Sequence, residues 1–486
     1  MLRHQLTWLI FMISCFTNPL TAQDEKHWSI ERCIQYAMDN NLEVKMSRLS
    51  VNQSQEAIKY SRHQRLPSVG ASASYNWGWG RNIDPFTNVP VTEGTRTSSF
   101  GISANMVLFN GNKINSSVKQ SHIDLQASQY DVQKSENDLK LFLVSDYLQI
   151  LIDRENLENA KRTVETTQSQ LERTEKLVQA GALPEADLYD LRSQLATNEL
   201  QMVNAENKLS LSYLNLKQRL QLTEQQEFEV IIPEIPEPDA SLMVQNIEEV
   251  YHTALSLQPE IKSADLKVQS AELSVQISKA DYYPTLSLQG GLSSSYSSAL
   301  KQVPDGFETL PEPMSMPVGF VDPSYTGGAV WPVIREVNEV SVYRDADFFT
   351  QLDKAFRQYV GLNLSIPIYQ KNQVNYSVAR SKVQYETAKL NSQIERNTLR
   401  KNIEQAYYNA RAAAKTYASN KRQLEALQEQ FRVTEQRYKS GMDNVTDYII
   451  SQNQLNNAQS DLIWSKYDFM FKLKVMDFYL GKEITF

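Results

Sequence analysis

The sequence contains few residues that break helices and few that carry chemistry. Its 486 residues include 16 glycines and 17 prolines, which is a small number for a protein built mainly of β-sheet. The five histidines are scattered along the chain, and the two cysteines cannot form a zinc-binding cluster. These shortages predict a mostly helical chain, and no motif predicts an enzyme.

Only one of the two cysteines lies outside a predicted leader. Residues 1–22 have the pattern of a secretory signal peptide, with Arg3 and His4, an apolar run, and a small residue before Gln23. An alternative is a lipoprotein acylated at Cys15, although the preceding Met-Ile-Ser fits that pattern poorly. Export would leave Cys33 alone, so we expect a buried thiol without a disulfide partner.

Long apolar runs and an excess of basic residues are also lacking. After the leader no run approaches the roughly 18 consecutive apolar residues that a transmembrane helix needs. The formal net charge of −8 argues against a nucleic-acid partner. The pair Gly481-Lys482 is followed by Glu483 rather than by Ser or Thr, so it is not a phosphate-binding loop. We therefore predict no nucleic-acid partner and no cofactor.

An internal duplication is the strongest signal in the sequence. At an offset of 260 residues Gly101 matches Gly361, Gly181 matches Gly441 and Asp187 matches Asp447, without a gap. Further upstream the offset is 217, so that Pro67 matches Pro284. The difference predicts an insertion of about 43 residues in the second copy, between strands three and four.

Each copy carries two stretches in which apolar and small polar residues alternate. The predicted strands are 68–80 and 99–109 in the first copy, and 285–297 and 359–369 in the second. In the last strand Val360, Leu362 and Leu364 face one way, and Gly361 and Asn363 face the other. This pattern fits a strand with lipid on one side and water on the other, and also a strand of a soluble sheet.

Two long segments in each copy carry a seven-residue apolar repeat. Residues 112–180 and 371–440 lack both Gly and Pro, which predicts helices of about 100 Å each. Heptad positions such as Leu143, Ile150 and Leu157 predict coiled-coil packing. Gly181 and Gly441 sit where a helix C-cap requires a left-handed residue, and Asp187 and Asp447 follow in the first turn of the return helix.

Four strands cannot close a membrane barrel by themselves, because the smallest such barrels have eight. Two chains would supply eight strands and a filled interior, whereas three would supply twelve strands and a lumen. The small polar residues of the inward faces favour water over a packed core. A conduit therefore requires at least a trimer, with Val360 towards lipid and Gly361 towards the channel.

The tandem copies, the four strands and the turns with Gly, five residues and Asp resemble the TolC family of outer-membrane efflux proteins. The resemblance covers essentially all of the chain after the leader. It implies a mainly helical fold with membrane β-strands, in which a homotrimer forms a 12-stranded outer-membrane barrel and a periplasmic barrel of helices. The implied domains are a first repeat at 23–221 with its helical hairpin at 111–221, a linker at 222–242, a second repeat at 243–480 with its helical hairpin at 371–480, and a tail at 481–486.

The resemblance also implies partners and site residues. The partners are a periplasmic adaptor protein, an inner-membrane transporter and the lipid of the outer membrane, and the adaptor would dock beside Gly181 and Gly441. The implied periplasmic gate consists of Asp187, Asp190, Asp443, Asp447 and Tyr438, with Tyr438 tethered through Asp187. This chain departs from the family pattern at Ile450, where a second acid is expected, and at Asp443, where an Arg is expected.

Other interpretations of the sequence remain open at this point. An exported coiled-coil structural protein or adhesin would share the leader, the acidity and the helices, and a periplasmic adaptor would also carry a helical hairpin. The loop 298–358 is apolar enough to fold over the channel mouth, or it is a disordered surface loop. Drugs, metal ions and secreted polypeptides all remain possible cargo.

Overall fold

A computed structural model describes residues 26–83, 88–92, 94–223, 228–233, 246–322, 324 and 330–482. The predicted leader (1–22), most of the predicted linker (222–242) and the tail from residue 483 onward lie outside the described residues. None of the described helices combines the length and the apolar composition needed to cross a bilayer.

Long helices make up most of the described chain. In chain order the helices are α1 (Ile30–Asn40), α2 (Leu42–His63), α3 (Lys113–Gln179), α4 (Glu185–Leu220), α5 (Ile247–Leu257), α6 (Pro259–Ala280), α7 (Phe348–Lys354), α8 (Gln373–Lys439) and α9 (Val445–Tyr479). The strands are β1 (His27–Trp28), β2 (Ser68–Gly78), β3 (Asn82–Ile83), β4 (Pro90–Val91), β5 (Thr95–Phe109), β6 (Glu229–Val230), β7 (Thr285–Ser297), β8 (Gln302–Val321), β9 (Trp331–Asp345) and β10 (Arg357–Ser365).

The boundaries of these elements repeat with the offsets that the sequence shows. Helices α1 and α2 correspond to α5 and α6 at an offset of 217, and β2 begins 217 residues before β7. Helices α3 and α8 are each 67 residues long and are related by the offset of 260. The predicted duplication of a helix, strand and hairpin unit is therefore confirmed at the level of secondary structure.

The chain divides into two units. The helical unit contains residues up to 57, 120–272 and from 382 onward, and the sheet unit contains residues 58–119 and 273–381. In the helical unit a first core packs α1 against the middle of α3 and the end of α4, with Cys33, Leu143, Tyr147 and Leu216 almost fully buried. Burial raises the pKa of the Cys33 thiol to about 12, so this group stays a neutral, inert side chain.

The same core contains a two-residue parallel ladder that the sequence did not predict. Strand β1 pairs with β6, so that Trp28 lies opposite Val230. The hydroxyl of Tyr147 on α3 donates to the carbonyl oxygen of Ile231 (2.5 Å) and also lies 3.3 Å from that of Trp28, so it contacts the segments of both strands. The second copy has an equivalent core, in which Val250, Ala254 and Ile261 meet Ile403 and Met476.

The sheet unit is built on a four-stranded antiparallel sheet in the order β10-β7-β5-β2. The outer strands β2 and β10 each pair on one side only within the described residues. The loops that follow β2 and β7 leave one end of the sheet, which we call the loop end, and the long helices α3 and α8 follow from the other end.

The strand register sorts the side chains of this sheet onto two different faces. Val360 lies opposite Gly290, which lies opposite Ala104, and Ala104 lies opposite Val69. This apolar face also carries Leu288, Leu292, Ile102, Phe100, Ala73, Tyr75 and Trp77, whereas the other face carries Ser72, Ser74, Ser103, Asn105, Ser287, Gln289 and Asn363. The predicted alternation is confirmed, and all four strands agree on which face is apolar.

The inserted segment differs from the sequence prediction. We expected a loop over 298–358 and four strands in all, but β8 and β9 form an antiparallel hairpin and α7 follows it. Prolines within β8 hide the strand pattern, because Pro interrupts the ladder, and residues 310–313 are indeed skipped in the pairing. Strand β10 also ends at Ser365 rather than at residue 369, before Pro367.

Candidate functional site

The turn of each helical hairpin is built by a glycine in the left-handed conformation. Gly181 has a φ of +72° and Gly441 a φ of +75°. In the first turn Ala182 donates to Leu177 (2.8 Å), and in the second Met442 donates to Arg437 (2.9 Å), which is the Schellman pattern. The predicted glycine C-caps are therefore confirmed, and both glycines have open space where a side chain would project.

The return helices begin with acidic residues, as predicted. Asp187 lies in the first turn of α4 and Asp447 in the first turn of α9. The side chain of Asn444 caps α9 by accepting from the backbone N–H of Asp447 at 2.8 Å. Pro184 holds the equivalent position before α4 and makes no side-chain cap, so the two turns share a backbone but differ in how the helix starts.

Three of the four predicted gate carboxylates have no ion-pair partner within the described part of the chain, namely Asp187, Asp190 and Asp447. Partial burial raises the pKa of Asp187, and the nearby charge of Asp190 raises it further. Asp190 and Asp447 are exposed. Of the predicted gate acids, two on α4 and one on α9 thus lack an ion pair.

Asp443 differs from the other three acids. Its carboxylate lies 3.0 Å from a guanidinium nitrogen of Arg437, and its side chain is only 15% exposed. The left-handed turn at Gly441 brings these two residues together across the end of α8. The negative charge that the sequence assigned to the gate at this position is already neutralised within its own turn.

Tyr438 is buried behind the turns rather than exposed at them. Its ring stacks on Tyr448 with centroids 5.0 Å apart, and its hydroxyl lies 3.3 Å from the hydroxyl of Thr174. The sequence predicted a tether from Tyr438 through Asp187. Within this chain the hydrogen bond of Tyr438 goes to Thr174 on α3 instead.

An apolar cluster surrounds Tyr438 and holds the two hairpins together near their turns. Leu191 of α4 meets Val445 and Tyr448 of α9, with Leu171 and Phe431 packed at the edge of the cluster. Burial of these side chains fixes the position of the first turns of α4 and α9. The acids Asp187 and Asp447 are thereby held on neighbouring helices.

Further along the helices the contact between the hairpins is polar, which the heptad pattern did not predict. Asn198 donates to the hydroxyl of Thr167 (2.8 Å), and Gln194 donates to Asn198 (2.8 Å) and to Asn453 (3.0 Å). Gln452 also donates to Thr167 at 3.4 Å. This polar layer, defined as Thr167, Gln194, Asn198, Gln452 and Asn453, joins α3 and α4 to α9.

Two buried acceptors beside the polar layer lack a hydrogen-bond partner among the described residues. They are the hydroxyl of Ser451 and the side-chain carbonyl of Gln452, and both residues are less than 5% exposed. Unsatisfied buried groups weaken packing, because they lose water without gaining a protein partner. The contact between the two hairpins is therefore less tightly held here than in the apolar cores.

A signal for the polar layer was present in the sequence but was masked by the heptads. Thr163, Thr167, Gln170 and Thr174 recur at spacings of four and three on α3 and are all buried. This is the spacing of a second helix face. The apolar heptad through Leu157, Val164 and Leu171 on the same helix is the stronger pattern and obscures this polar one.

Comparison with known proteins shows which protein family has this architecture. A profile of the outer membrane efflux protein family matches residues 33–220 and 338–471. TolC of Vibrio cholerae serotype O1 is 22% identical over 420 residues, which cover 86% of this chain and 82% of TolC.

Two solved structures share the fold. The VceC outer membrane protein of Vibrio cholerae has a TM-score of 0.71 at 12% identity, and covers 94% of this chain and 97% of its own. The CmeC outer membrane channel of Campylobacter jejuni has a TM-score of 0.68 at 17% identity, and covers 93% of this chain and 85% of its own. With the duplicated hairpins and the two-faced sheet, the family match identifies this chain as a member of the outer membrane efflux protein family, an efflux channel of the outer membrane.

Proposed function

We propose that this chain is the outer-membrane component of a tripartite efflux or type I secretion system and works as a homotrimeric, passive conduit. The trimer would carry cargo from the periplasm to the outside without bond chemistry of its own. An inner-membrane transporter would supply the energy, and a periplasmic adaptor protein would join the two. The cell outer membrane would surround the sheet unit, and the helical part would lie in the periplasm.

The observation that carries this proposal is the sheet with two faces and two open edges. Strands β2 and β10 pair on one side only within the described chain, and an unpaired edge is a template for another strand. Four strands from each of three copies would make a twelve-stranded barrel, which is wide enough for a lumen. The register then turns Val69, Ala104 and Val360 towards lipid and the Ser- and Asn-rich face towards water.

The turns of the hairpins supply the proposed gate. Three copies would bring nine unpaired carboxylates together from Asp187, Asp190 and Asp447, while Asp443 would contribute little because Arg437 neutralises it. Like charges held close together raise one another's pKa values and attract cations. We expect a negative ring that prefers cations and is blocked by divalent ions.

The same turns supply the proposed docking surface for the adaptor. Gly181 and Gly441 are open on their outer side, and Met442 is 75% exposed. A flexible methionine beside a surface without side chains suits a hydrophobic contact with a partner helix. The adaptor would thus bind where a small movement of α8 and α9 changes the spacing of the acids.

Purification from outer membranes followed by conductance measurement tests this function. We expect a detergent-bound trimer by light scattering, with cation-selective, divalent-blocked conductance in planar bilayers. The substitution Asp447→Ala should reduce the block by divalent cations, since it removes three charges from the ring. Glu425→Ala is the control, because Glu425 is exposed on α8 about 20 Å before the turn.

Each alternative result has a clear meaning. Unchanged block in Asp447→Ala would remove this residue from the gate but leave the conduit standing. A water-soluble rod without conductance would contradict the conduit itself and return the chain to an exported coiled-coil protein.

A further inference from the structure

The β8–β9 hairpin presents apolar side chains that this chain leaves uncovered. Every register shift in the hairpin adds residues to β8, so β9 alternates without interruption from Trp331 to Asp345. On one face, which also carries Arg335 and Glu339, lie six apolar or aromatic side chains: Trp331, Val333 and Tyr343 from β9, and Phe307, Met314 and Met316 from β8. These six side chains are all between 46% and 73% exposed.

The distal half of the hairpin carries large apolar side chains on both faces, with Arg335 and Glu336 at their inner border. Phe320 and Ile334 lie on the opposite face and are 67% and 56% exposed. That opposite face also carries Glu336, beside Ser315, and nearer the sheet it carries Glu308 and Arg344, which suit water. We call the apolar part formed by Met314, Met316, Phe320, Trp331, Val333 and Ile334 the distal patch.

The base of the hairpin is fixed to the loop end of the sheet. The buried side chain of Gln351 accepts from the N–H of Ser297 (2.9 Å) and donates to the carbonyls of Leu300 (2.9 Å) and Ala346 (2.7 Å). Asp305 lies within 3.7 Å of both Arg344 and Lys354. These contacts tie β7, the hairpin and α7 together, so the hairpin is a directed extension of the sheet unit.

The apolar side chains of the distal patch require a partner that shields them from water. A two-stranded hairpin alone in water is at best marginally stable, because its apolar side chains have nothing to pack against. Phe320 and Trp331 are 67% and 61% exposed, and aromatic side chains bury about 150–250 Å² each when fully covered, so the patch supplies a large part of the roughly 800 Å² per partner of a stable protein interface, divided between its two faces. A surface of this size left in water would promote aggregation.

The sequence of β8 disfavours a partner that binds by adding a strand to its edge. Pro311, Pro313 and Pro317 lack the N–H that an added strand would require, and the pairing within the hairpin is itself interrupted there. A partner that extends the sheet through the edge of β8 is therefore disfavoured. A partner must therefore pack against the faces of the hairpin.

We propose that the hairpins of three copies of this chain pack against one another through their distal patches and form a cap across the outer mouth of the channel. This proposal rests on the trimer of the proposed function. In such a ring each hairpin has a neighbour on both sides, which accounts for apolar residues on both of its distal faces. The contact continues the interface that the open edges of β2 and β10 would form at the same end of the sheet.

Cysteine cross-linking in intact outer membranes tests the cap. Cys33 is fully buried, so an introduced cysteine becomes the reactive thiol of the mature chain. We expect Val333→Cys to give covalent dimers with a short bis-maleimide, since one reactive thiol per chain allows one link. Its yield should be about tenfold above that of Asn338→Cys, because packed neighbours meet at a high effective concentration. Asn338 is a matched control, since it is exposed on the same strand but lies outside the distal patch, nearer the sheet.

A second variant distinguishes misfolding of Val333→Cys from absence of the cap. Met316→Cys lies on the same face as Val333 and should cross-link equally well. Equal yields from Asn338→Cys, or ready labelling of both patch variants by a bulky membrane-impermeant maleimide without cross-links, would overturn the cap and indicate another occupant. Light scattering separates the two proposals: a trimer without these cross-links contradicts the cap alone, and a monomer contradicts the conduit as well.

Discussion

The hydroxyl groups of Thr174 and Tyr438 lie 3.3 Å apart and link α3 of the first hairpin to α8 of the second. Thr174 is fully buried and Tyr438 is 8% exposed, so water does not compete for this bond. Because this contact lies close to the turns, it holds the two hairpins together there and opposes separation of the turns.

Removing one partner of this bond should weaken the packing of the hairpins. Tyr438→Phe leaves the Thr174 hydroxyl buried without a partner, and we expect a loss of about 1 kcal/mol in the free energy of unfolding. The double variant Tyr438→Phe/Thr174→Val should recover much of that loss, because neither polar group remains. Urea unfolding of the detergent-solubilised protein measures both changes. A double variant as unstable as the single one would contradict this account.

The polar layer should be sensitive to the loss of its central amide. Asn198 is 1% exposed, donates to Thr167 and accepts from Gln194. Asn198→Ala would remove two buried hydrogen bonds, although Gln194 keeps its bond to Asn453 and Thr167 its bond from Gln452, and we expect a loss of about 1–3 kcal/mol in the free energy of unfolding. Asn204→Ala, at an exposed position of the same helix, should change it by less than about 0.5 kcal/mol. Similar losses in the two variants would contradict a special role for the layer.

Asp187 should make the stability of the hairpin turns depend on pH. Its pKa is raised above the ordinary value of 3.8, chiefly by burial and then by Asp190, so the folded chain holds this proton more tightly than the unfolded chain does. Its stabilising contribution is therefore complete below the unfolded pKa and is lost as the pH rises through the folded pKa. Asp187→Asn cannot ionise and should be more stable than the wild type near neutral pH.

The pH course separates this effect from a general change in charge. The advantage of Asp187→Asn should disappear below about pH 4, where the wild-type carboxyl is protonated. Asp443→Asn is the comparison, since it breaks the ion pair with Arg437 and should give no gain near neutral pH. Thermal unfolding followed by circular dichroism between acid and neutral pH measures both variants. A gain for Asp187→Asn that persists in acid would exclude ionisation as its cause.

The left-handed glycines should be replaceable only at a cost. Gly441→Ala places a side chain at a φ of +75°, and we expect a loss of about 1 kcal/mol in the free energy of unfolding. Gly441→Asn should be better tolerated, since Asn adopts this conformation more readily than Ala does. Neither side chain meets a neighbour in this chain, so a further loss of adaptor binding would locate the docking surface. Binding that follows stability alone would argue against docking at this turn.

Much of the fold could be predicted because the sequence contains the same structural unit twice. The offsets of 217 and 260 recur in the boundaries of α1, α5, α3 and α8, since equivalent apolar residues bury equivalent faces. The strand faces also followed from the sequence, because a residue period of two is independent of the neighbouring strand. What the alternation could not give was the register that brings Val360, Gly290 and Ala104 to one face.

The remaining features depend on contacts between distant residues. The ion pair of Asp443 with Arg437 forms only because the turn at Gly441 reverses the chain, and the hydrogen bond of Tyr438 depends on α3, more than 250 residues earlier. The hairpin β8–β9 was missed because its prolines resemble those of a loop. Sequence patterns report local periods, whereas these features arise from the packing of separate segments.

The equal lengths of α3 and α8 have a consequence for any partner that grips the hairpins. Three copies would present six turns of the same backbone shape, so an adaptor would meet a ring that repeats every 60 degrees. The turns alternate in chemistry, with Leu183 and Pro184 in one and Asp443 and Asn444 in the next. An adaptor with a single kind of subunit must accept both, or its subunits must bind in unlike pairs.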